Sequence, residues 1–233
     1  MIENQQPSTE NPQPKLKICG LTQLSQIREL VALKIDFIGF IFYEKSPRYV
    51  LNHLNLDEIS EINHQGKVGV FVNENIDKII EFAEKADLNF IQLHGDESDD
   101  FILELRKKLN TEVGIIKVIR VGNQISDFRF QTQKIFDSAQ TDNQQPTTIN
   151  YLLFDTDSKA FGGTGKTFDW NILNEIKIPL PYFLSGGISW ENFHQLKTIN
   201  QQPFALDINS KFEIEPGIKD LEKIKEFLSL IKY

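Results

Sequence analysis

From residue 15 onward the chain repeats one unit: a short apolar run, a turn, then a stretch with its apolar residues on one helical face. The apolar runs lie at 15–19 (KLKIC), 36–42 (DFIGFIF), 67–72 (KVGVFV), 90–94 (FIQLH), 115–121 (IIKVIRV), 151–156 (YLLFDT), 182–185 (YFLS) and 204–208 (FALDI). Several are apolar at consecutive positions, as in parallel strands covered on both faces. Between them, residues 76–86 place apolar side chains at 76, 79, 80 and 83 behind a candidate N-cap, Asn75. Residues 98–109 open acidic and close basic, which suits the helix dipole, and residues 221–231 form a last helical pattern behind Asp220. Eight strands alternating with about eight helices over about 220 residues predict an α/β fold, a (β/α)8 TIM barrel with a closed parallel sheet and outer helices. A doubly wound open sheet also alternates, but eight strands in this length favour closure.

Residues 1–14 are rich in Asn, Gln, Pro and Glu and too polar to pack, which predicts a disordered tail before a single barrel domain at 15–233. They offer neither the basic nor the apolar region of a signal peptide. The rhythm breaks between the fifth and sixth strands, where the polar stretch 138–150 (SAQTDNQQPTTIN) reads as an αβ surface insertion on the face away from a barrel's active site. Hydrophobic residues at 40% of the 233 are enough for a sizeable core without disulfide or structural metal. The single cysteine, Cys19, and four scattered histidines give no zinc spacing. A net charge of −8 argues against nucleic acid or an anionic membrane as partner, and no run is long enough to span a bilayer. These features predict a cytoplasmic protein acting on a small molecule. With no exposed apolar stripe evident, the pattern favours a monomer and leaves a homodimer open.

Barrel enzymes place reactive groups where strands end and βα loops begin. Here the first run ends in Cys19-Gly20, the fourth in Gln92-Leu93-His94, the sixth in Asp155-Thr156 and the seventh in Ser185-Gly186-Gly187. The eighth carries Asp207, with Asn209 and Ser210 just beyond. Glycine loops after the sixth and seventh runs, Gly162-Gly163-Thr164-Gly165 and Gly186-Gly187, suit a phosphate, because glycine lets main-chain N–H groups approach an oxyanion closely. The segment 160–167 (AFGGTGKT) imitates a nucleotide-binding P-loop. It starts with alanine and lies inside an eightfold alternation, so an NTPase is the weaker reading.

The motifs KICGLT at 17–22, GFIFYEKSPRYV at 39–50, VGVFVN at 68–73 and IQLHG at 91–95 occur in this order along the chain. They are followed by LFDT at 153–156, GGTGKTF at 162–168, LSGGISWEN at 184–192 and ALDINSKFEIEPGIKD at 205–220. Taken together, they make the chain resemble the phosphoribosylanthranilate isomerase family of tryptophan biosynthesis. The resemblance implies an Amadori rearrangement of N-(5-phosphoribosyl)anthranilate to the corresponding 1-amino-1-deoxyribulose phosphate, with no metal or organic cofactor. It implies Cys19 as general base and Asp155 as general acid, and Arg48 as the partner of the anthranilate carboxylate. Asp207 would lie near the substrate amine, Gln92 and His94 would line the site, and Asn209 and Ser210 would join the glycine loops around phosphate. A base of this kind works as thiolate, so Cys19 is expected to have a lowered pKa, with Lys17 pointing the same way; Asp155 is expected to have a raised one. His53, His64 and His194 are assigned no role.

One position departs from the family pattern: Lys211 stands where a glycine usually follows the serine after the eighth strand, which restricts the backbone there. Related readings weigh less. A histidine-pathway isomerase would use an aspartate on the first strand, where this chain has Cys19. A metal-dependent epimerase would need His and Asp ligands on several strands, and a non-catalytic phosphate-binding barrel would have no use for both acid and base.

Overall fold

The computed structural model describes residues 13–122, 148–156 and 167–231. Eight strands, β1 (Lys15–Ile18), β2 (Phe37–Ile41), β3 (Lys67–Phe71), β4 (Phe90–Leu93), β5 (Gly114–Val121), β6 (Tyr151–Thr156), β7 (Tyr182–Leu184) and β8 (Ala205–Ile208), form a closed barrel. Each pairs in parallel with the next, and β8 returns to β1 with Lys15 opposite Ala205 and Lys17 opposite Asp207. The eightfold barrel and its strand positions agree with the sequence pattern. Cys19, His94 and Ser185, expected as terminal strand residues, sit one position beyond the ladder, where the chain turns into its βα loop.

Consecutive apolar residues serve two cores. One set fills the barrel interior: Phe37, Val68, Val70, Ile116, Val118, Leu153, Phe183 and Ala205, together with Cys19. The alternate set, including Ile38, Phe40, Ile91, Ile115 and Leu152, packs outward against the helices. At the N-terminal ends of the strands, Phe37, Phe90, Tyr151, Phe183 and Phe204 form an aromatic plug with ring centroids 4.9–6.1 Å apart. The interior is therefore packed at one end, and the polar groups gather at the other.

The helices among the described residues are α1 (Leu24–Ala32), α2 (Leu56–Ser60), α3 (Ile76–Lys85), α4 (Asp99–Lys108) and α5 (Leu221–Ile231). The two expected caps form, with Asn75 accepting from the Asp77 N–H and Asp220 from Lys223, and Ser98 caps α4 by accepting from Phe101. After β6 and β7, where helices were expected, the described residues contain only the 3-10 segments Trp170–Glu175 and Phe193–Thr198. The first cannot lengthen into an α-helix through Pro179, which has no N–H to give. A hairpin absent from the sequence reading follows β8: β9 (Glu213–Glu215) runs antiparallel to β10 (Ile218–Lys219), turning through Gly217 at φ +89°. Residues 1–12 of the expected tail and 138–147 of the expected insertion lie outside the described residues.

The end opposite the polar groups has its own constraint. His64 accepts the Gly66 N–H at Nδ1 and donates from Nε2 to the Ile35 carbonyl, which holds the entry to β3. A Cβ added at Gly66 would come within 2.1 Å of the Asp36 carbonyl oxygen. Gly66→Ala is expected to lose about 1–3 kcal/mol of stability in urea titration, by forcing two main chains apart. An unchanged midpoint would show that the loop yields freely.

Candidate active site

Strand alternation decides which side chains reach the barrel's polar mouth. On β1, Lys17 and Cys19 face inward with the interior core between them and the aromatic plug. Cys19 continues the ladder through its N–H to the Ile208 carbonyl (3.0 Å). Its sulfur has room because β2 offers Gly39: a Cβ there would lie 3.0 Å from Sγ. Lys17 Nζ meets Asp207 Oδ1 at 2.8 Å, and both side chains are buried. Burial works against the Lys17 ammonium, but Asp207 and Cys19 outweigh it and raise its pKa.

Cys19 departs from expectation. Burial pushes its thiol above the ordinary value of 9.0, and Asp207 adds to the rise, while Lys17 and Lys219 pull down without prevailing. The expected lowering by a positive neighbour is thus present as a force but not as the outcome. Taking a thiolate out of water costs more than the two lysines return.

Across the barrel, β4 and β6 supply a second group. Gln92 Nε2 lies 3.0 Å from His94 Nδ1, and His94 Nε2 lies 3.3 Å from Asp155 Oδ2. With Gln92 donating, Nδ1 is the acceptor and Nε2 carries the proton that faces Asp155. The other Asp155 oxygen accepts the Thr156 N–H at 2.9 Å. Gln92 Oε1 is buried and has no hydrogen-bond partner among the described residues. Electrostatic coupling links Asp207 to both Asp155 and His94, so the two groups form one cluster across the barrel mouth. Arg120, which the sequence reading passed over, lies opposite Asp155 in the β5–β6 register and pairs with Asp96 at 2.7 Å. Its inward direction was legible from the alternation Ile116, Val118, Arg120.

Arg48, in the loop after β2, is engaged by an internal carboxylate. Its Nε lies 2.9 and 3.0 Å from the two Glu213 oxygens, and its Nη2 lies 2.7 Å from Oε2. This grips one edge of the guanidinium fork and directs the Nη1 edge elsewhere. Glu213 also receives Lys219 Nζ at 2.6 Å and the Gly217 N–H at 3.1 Å. Burial alone would raise the Glu213 carboxyl, but Arg48 and Lys219 hold it below the ordinary range. The sequence reading included Glu213 and Lys219 in a motif without a role. The available signal was a Pro-Gly turn flanked by opposite charges directly after the eighth strand.

On the phosphate side, Gly186 and Gly187 take φ of +85° and +70°, the left-handed region that glycine enters without strain. A Cβ at Gly186 would meet Thr156 Oγ1 at 2.4 Å and Asp155 Oδ1 at 3.3 Å, so this loop packs directly on the candidate acid. Ser210 opens the 3-10 turn Ser210–Phe212, and the Asn209 side chain accepts from Lys219 Nζ at 2.8 Å. Lys211 is exposed, with its carbonyl held by Lys223 Nζ at 2.6 Å. Gly162, Gly163, Thr164 and Gly165 lie outside the described residues. Among the described residues no group of His, Cys, Asp and Glu side chains could hold a metal ion, and no helix is long and apolar enough to cross a membrane.

This arrangement has parallels among known proteins. The family model for N-(5'-phosphoribosyl)anthranilate (PRA) isomerase matches residues 16–229. The N-(5'-phosphoribosyl)anthranilate isomerase of Parabacteroides distasonis is 38% identical over 219 residues, covering 93% of this chain and 92% of that protein. Its Staphylococcus aureus counterpart is 34% identical over 223 residues, covering 94% and 97%. The crystal structure of the phosphoribosyl anthranilate isomerase from Thermotoga maritima is similar at a TM-score of 0.72 and 32% identity, over 94% of this chain and 98% of that one. A phosphoribosyl anthranilate isomerase solved in complex with reduced 1-(o-carboxyphenylamino)-1-deoxyribulose 5-phosphate matches at a TM-score of 0.70 and 30% identity, again over 94% and 98%. With a closed barrel, a polar mouth and a family match from end to end of the described fold, the chain belongs to the N-(5'-phosphoribosyl)anthranilate isomerase family.

Proposed function

We propose that Cys19 and Asp155 are the base and acid with which this isomerase of tryptophan biosynthesis rearranges N-(5'-phosphoribosyl)anthranilate. The observation that carries the reading is the continuous cluster at the barrel mouth: Cys19 beside Lys17, Lys17 on Asp207, and Asp207 coupled to Asp155 and His94. The reaction needs one proton delivered and one removed at neighbouring atoms, and this cluster offers a donor and an acceptor on opposite walls.

Asp155 delivers its proton to the ribose ring oxygen as the bond from that oxygen to C1 breaks. The anilino nitrogen lone pair then forms the C1=N bond. Cys19 thiolate removes the proton from C2, the C–H electrons form C1=C2, and the C1=N π electrons return to nitrogen. The resulting enolamine becomes the ketone as its C2 hydroxyl loses a proton and C1 gains one. His94 Nε2 faces the Asp155 carboxylate left by the first step, where its N–H opposes the developing charge.

Substrate recognition follows the same geometry. The Nη1 edge of Arg48 suits the anthranilate carboxylate, since Glu213 fixes the opposite edge. Gly186, Gly187, Ser210 and Asn209, with Gly162, Gly163, Thr164 and Gly165, are assigned to the phosphate. Neither proton step calls for a metal or organic cofactor. The protein is assigned to the cytoplasm; a monomer is favoured over a homodimer, since Leu103 and Ile214, the large apolar side chains exposed among the described residues, lie on separate elements.

Mixing the protein with freshly generated phosphoribosylanthranilate and following its fluorescence tests the activity. A loss well above spontaneous decay is expected. Decay at the background rate would overturn the reading.

A further inference from the structure

Lys219 has no place in the chemistry above, yet its side chain is fully enclosed on the hairpin beyond β8. Burying an ammonium carries a cost of several kcal/mol that an apolar side chain would avoid. Its main chain is held on both sides by α1: Gln26 Nε2 donates to the Lys219 carbonyl at 2.8 Å, and Gln26 Oε1 accepts its N–H at 2.9 Å. Thr22 Oγ1 adds a bond to the Gly217 carbonyl at 2.7 Å. The ammonium itself is fixed by Glu213 at 2.6 Å and Asn209 at 2.8 Å.

Asn209 connects this ammonium to the candidate base. The β1–β8 register ends at Ile18–Ile208, and the Cys19 N–H bonds to the Ile208 carbonyl at 3.0 Å, directly before Asn209. The Asn209 oxygen that accepts Lys219 also lies 2.9 Å from where a Gly20 Cβ would stand, one residue beyond Cys19. The charged groups gathered here are Lys17 on β1, Arg48 after β2, Asp207 on β8, Glu213 on β9 and Lys219 on β10. Across the mouth, Asp155 and His94 couple to Asp207, while Lys17 and Lys219 are the positive groups that act on Cys19.

We propose that Lys219 is a positioning residue for the Cys19 thiolate, held by Glu213 and Asn209 as a second positive charge beside Lys17. Glu213 serves two ends at once, because the carboxylate that fixes Lys219 also grips Arg48. Lys219 pulls the thiol down, and although burial lowers the Lys219 pKa on balance, Glu213 and Cys19 support its charge. The kinetic consequence rests on Cys19 being the base. The electrostatic one does not.

Cys19 is the only cysteine, so its thiolate absorbance, measured against Cys19→Ser, titrates one group. In Lys219→Met the Cys19 pKa is expected to rise by about one unit, the scale of a lost opposite charge at close range. The thiolate fraction at neutral pH, and kcat/KM with it, should fall about tenfold, the equivalent of one pKa unit. Lys219→Arg should restore both, and Lys219→Gln, which keeps a hydrogen bond to Glu213, serves if the methionine variant does not fold. An unchanged Cys19 titration in the charge-deleted variants, whatever happens to activity or stability, overturns the proposal. Full activity in Cys19→Ser would instead overturn the base assignment and leave the titration to stand.

Discussion

Cys19→Ala is expected to lower kcat by about two to four orders of magnitude, the range contributed by a positioned general base, with KM and fold little changed. The sulfur sits in a pocket made by the Gly39 backbone and the top layer of the interior core, so the methyl of alanine fits without rearrangement. Asp155→Asn should fall by a similar factor, since the amide keeps the shape but carries no proton to give. The double variant should be little worse than either single one, because the two groups act on one reaction coordinate. Titration of the single thiol gives an independent check. The base must be ionised and the acid protonated, and burial, by raising the Cys19 pKa, keeps the thiolate fraction small at neutral pH. The Cys19 thiolate absorbance is therefore expected to appear on the alkaline side of a free thiol. A thiol largely ionised at neutral pH would contradict that burial.

The largest effect on stability is expected at Asp207. Replacing it with asparagine leaves the Lys17 ammonium, fully enclosed in the barrel mouth, without its countercharge. Breaking one side of a buried pair costs about 3–5 kcal/mol, whereas replacing both partners with apolar residues is close to neutral or better. Asp207→Asn should therefore unfold at markedly lower urea than the parent, and Lys17→Met combined with Asp207→Leu should recover most of the loss while remaining inactive. In the parent, the raised Lys17 pKa means the Lys17 charge contributes stability that is full below the ordinary 10.5 and is lost as pH rises through the folded-state value, while burial raises the Asp207 carboxyl above its own ordinary value. In the variant the sign reverses, because folding then favours the neutral amine. The stability gap between the two should narrow as pH rises. A gap independent of pH would assign the loss to packing instead of charge.

Much of the architecture was legible because β-strands report their surroundings locally. Val68, Val70, Ile116 and Val118 on the inner face and Ile38, Ile91 and Ile115 on the outer one leave almost no polar position, and only a sheet covered on both sides demands that. Helix starts were legible for the same reason, since Asn75, Ser98 and Asp220 meet N–H groups within three residues. The hairpin at Glu213–Lys219 was not, because two short strands carry too few residues to show a period.

The inward-facing ends of the strands were fixed by the order of residues. The ends of the apolar runs pointed to Cys19, Gln92, His94, Asp155 and Asp207 at the barrel mouth before any contact was known, and alternation added Lys17 beside Cys19. Their electrostatics were decided only by the tertiary structure. Sequence proximity suggested that Lys17 lowers the Cys19 pKa, but burial depends on the closed barrel around it and outweighs the nearby charge. Arg48 read as a residue open to substrate until folding brought Glu213, far along the chain, onto its Nε edge. Alternation is a local property that each strand carries in its own sequence. Desolvation and ion pairing belong to groups that meet only when β8 closes onto β1.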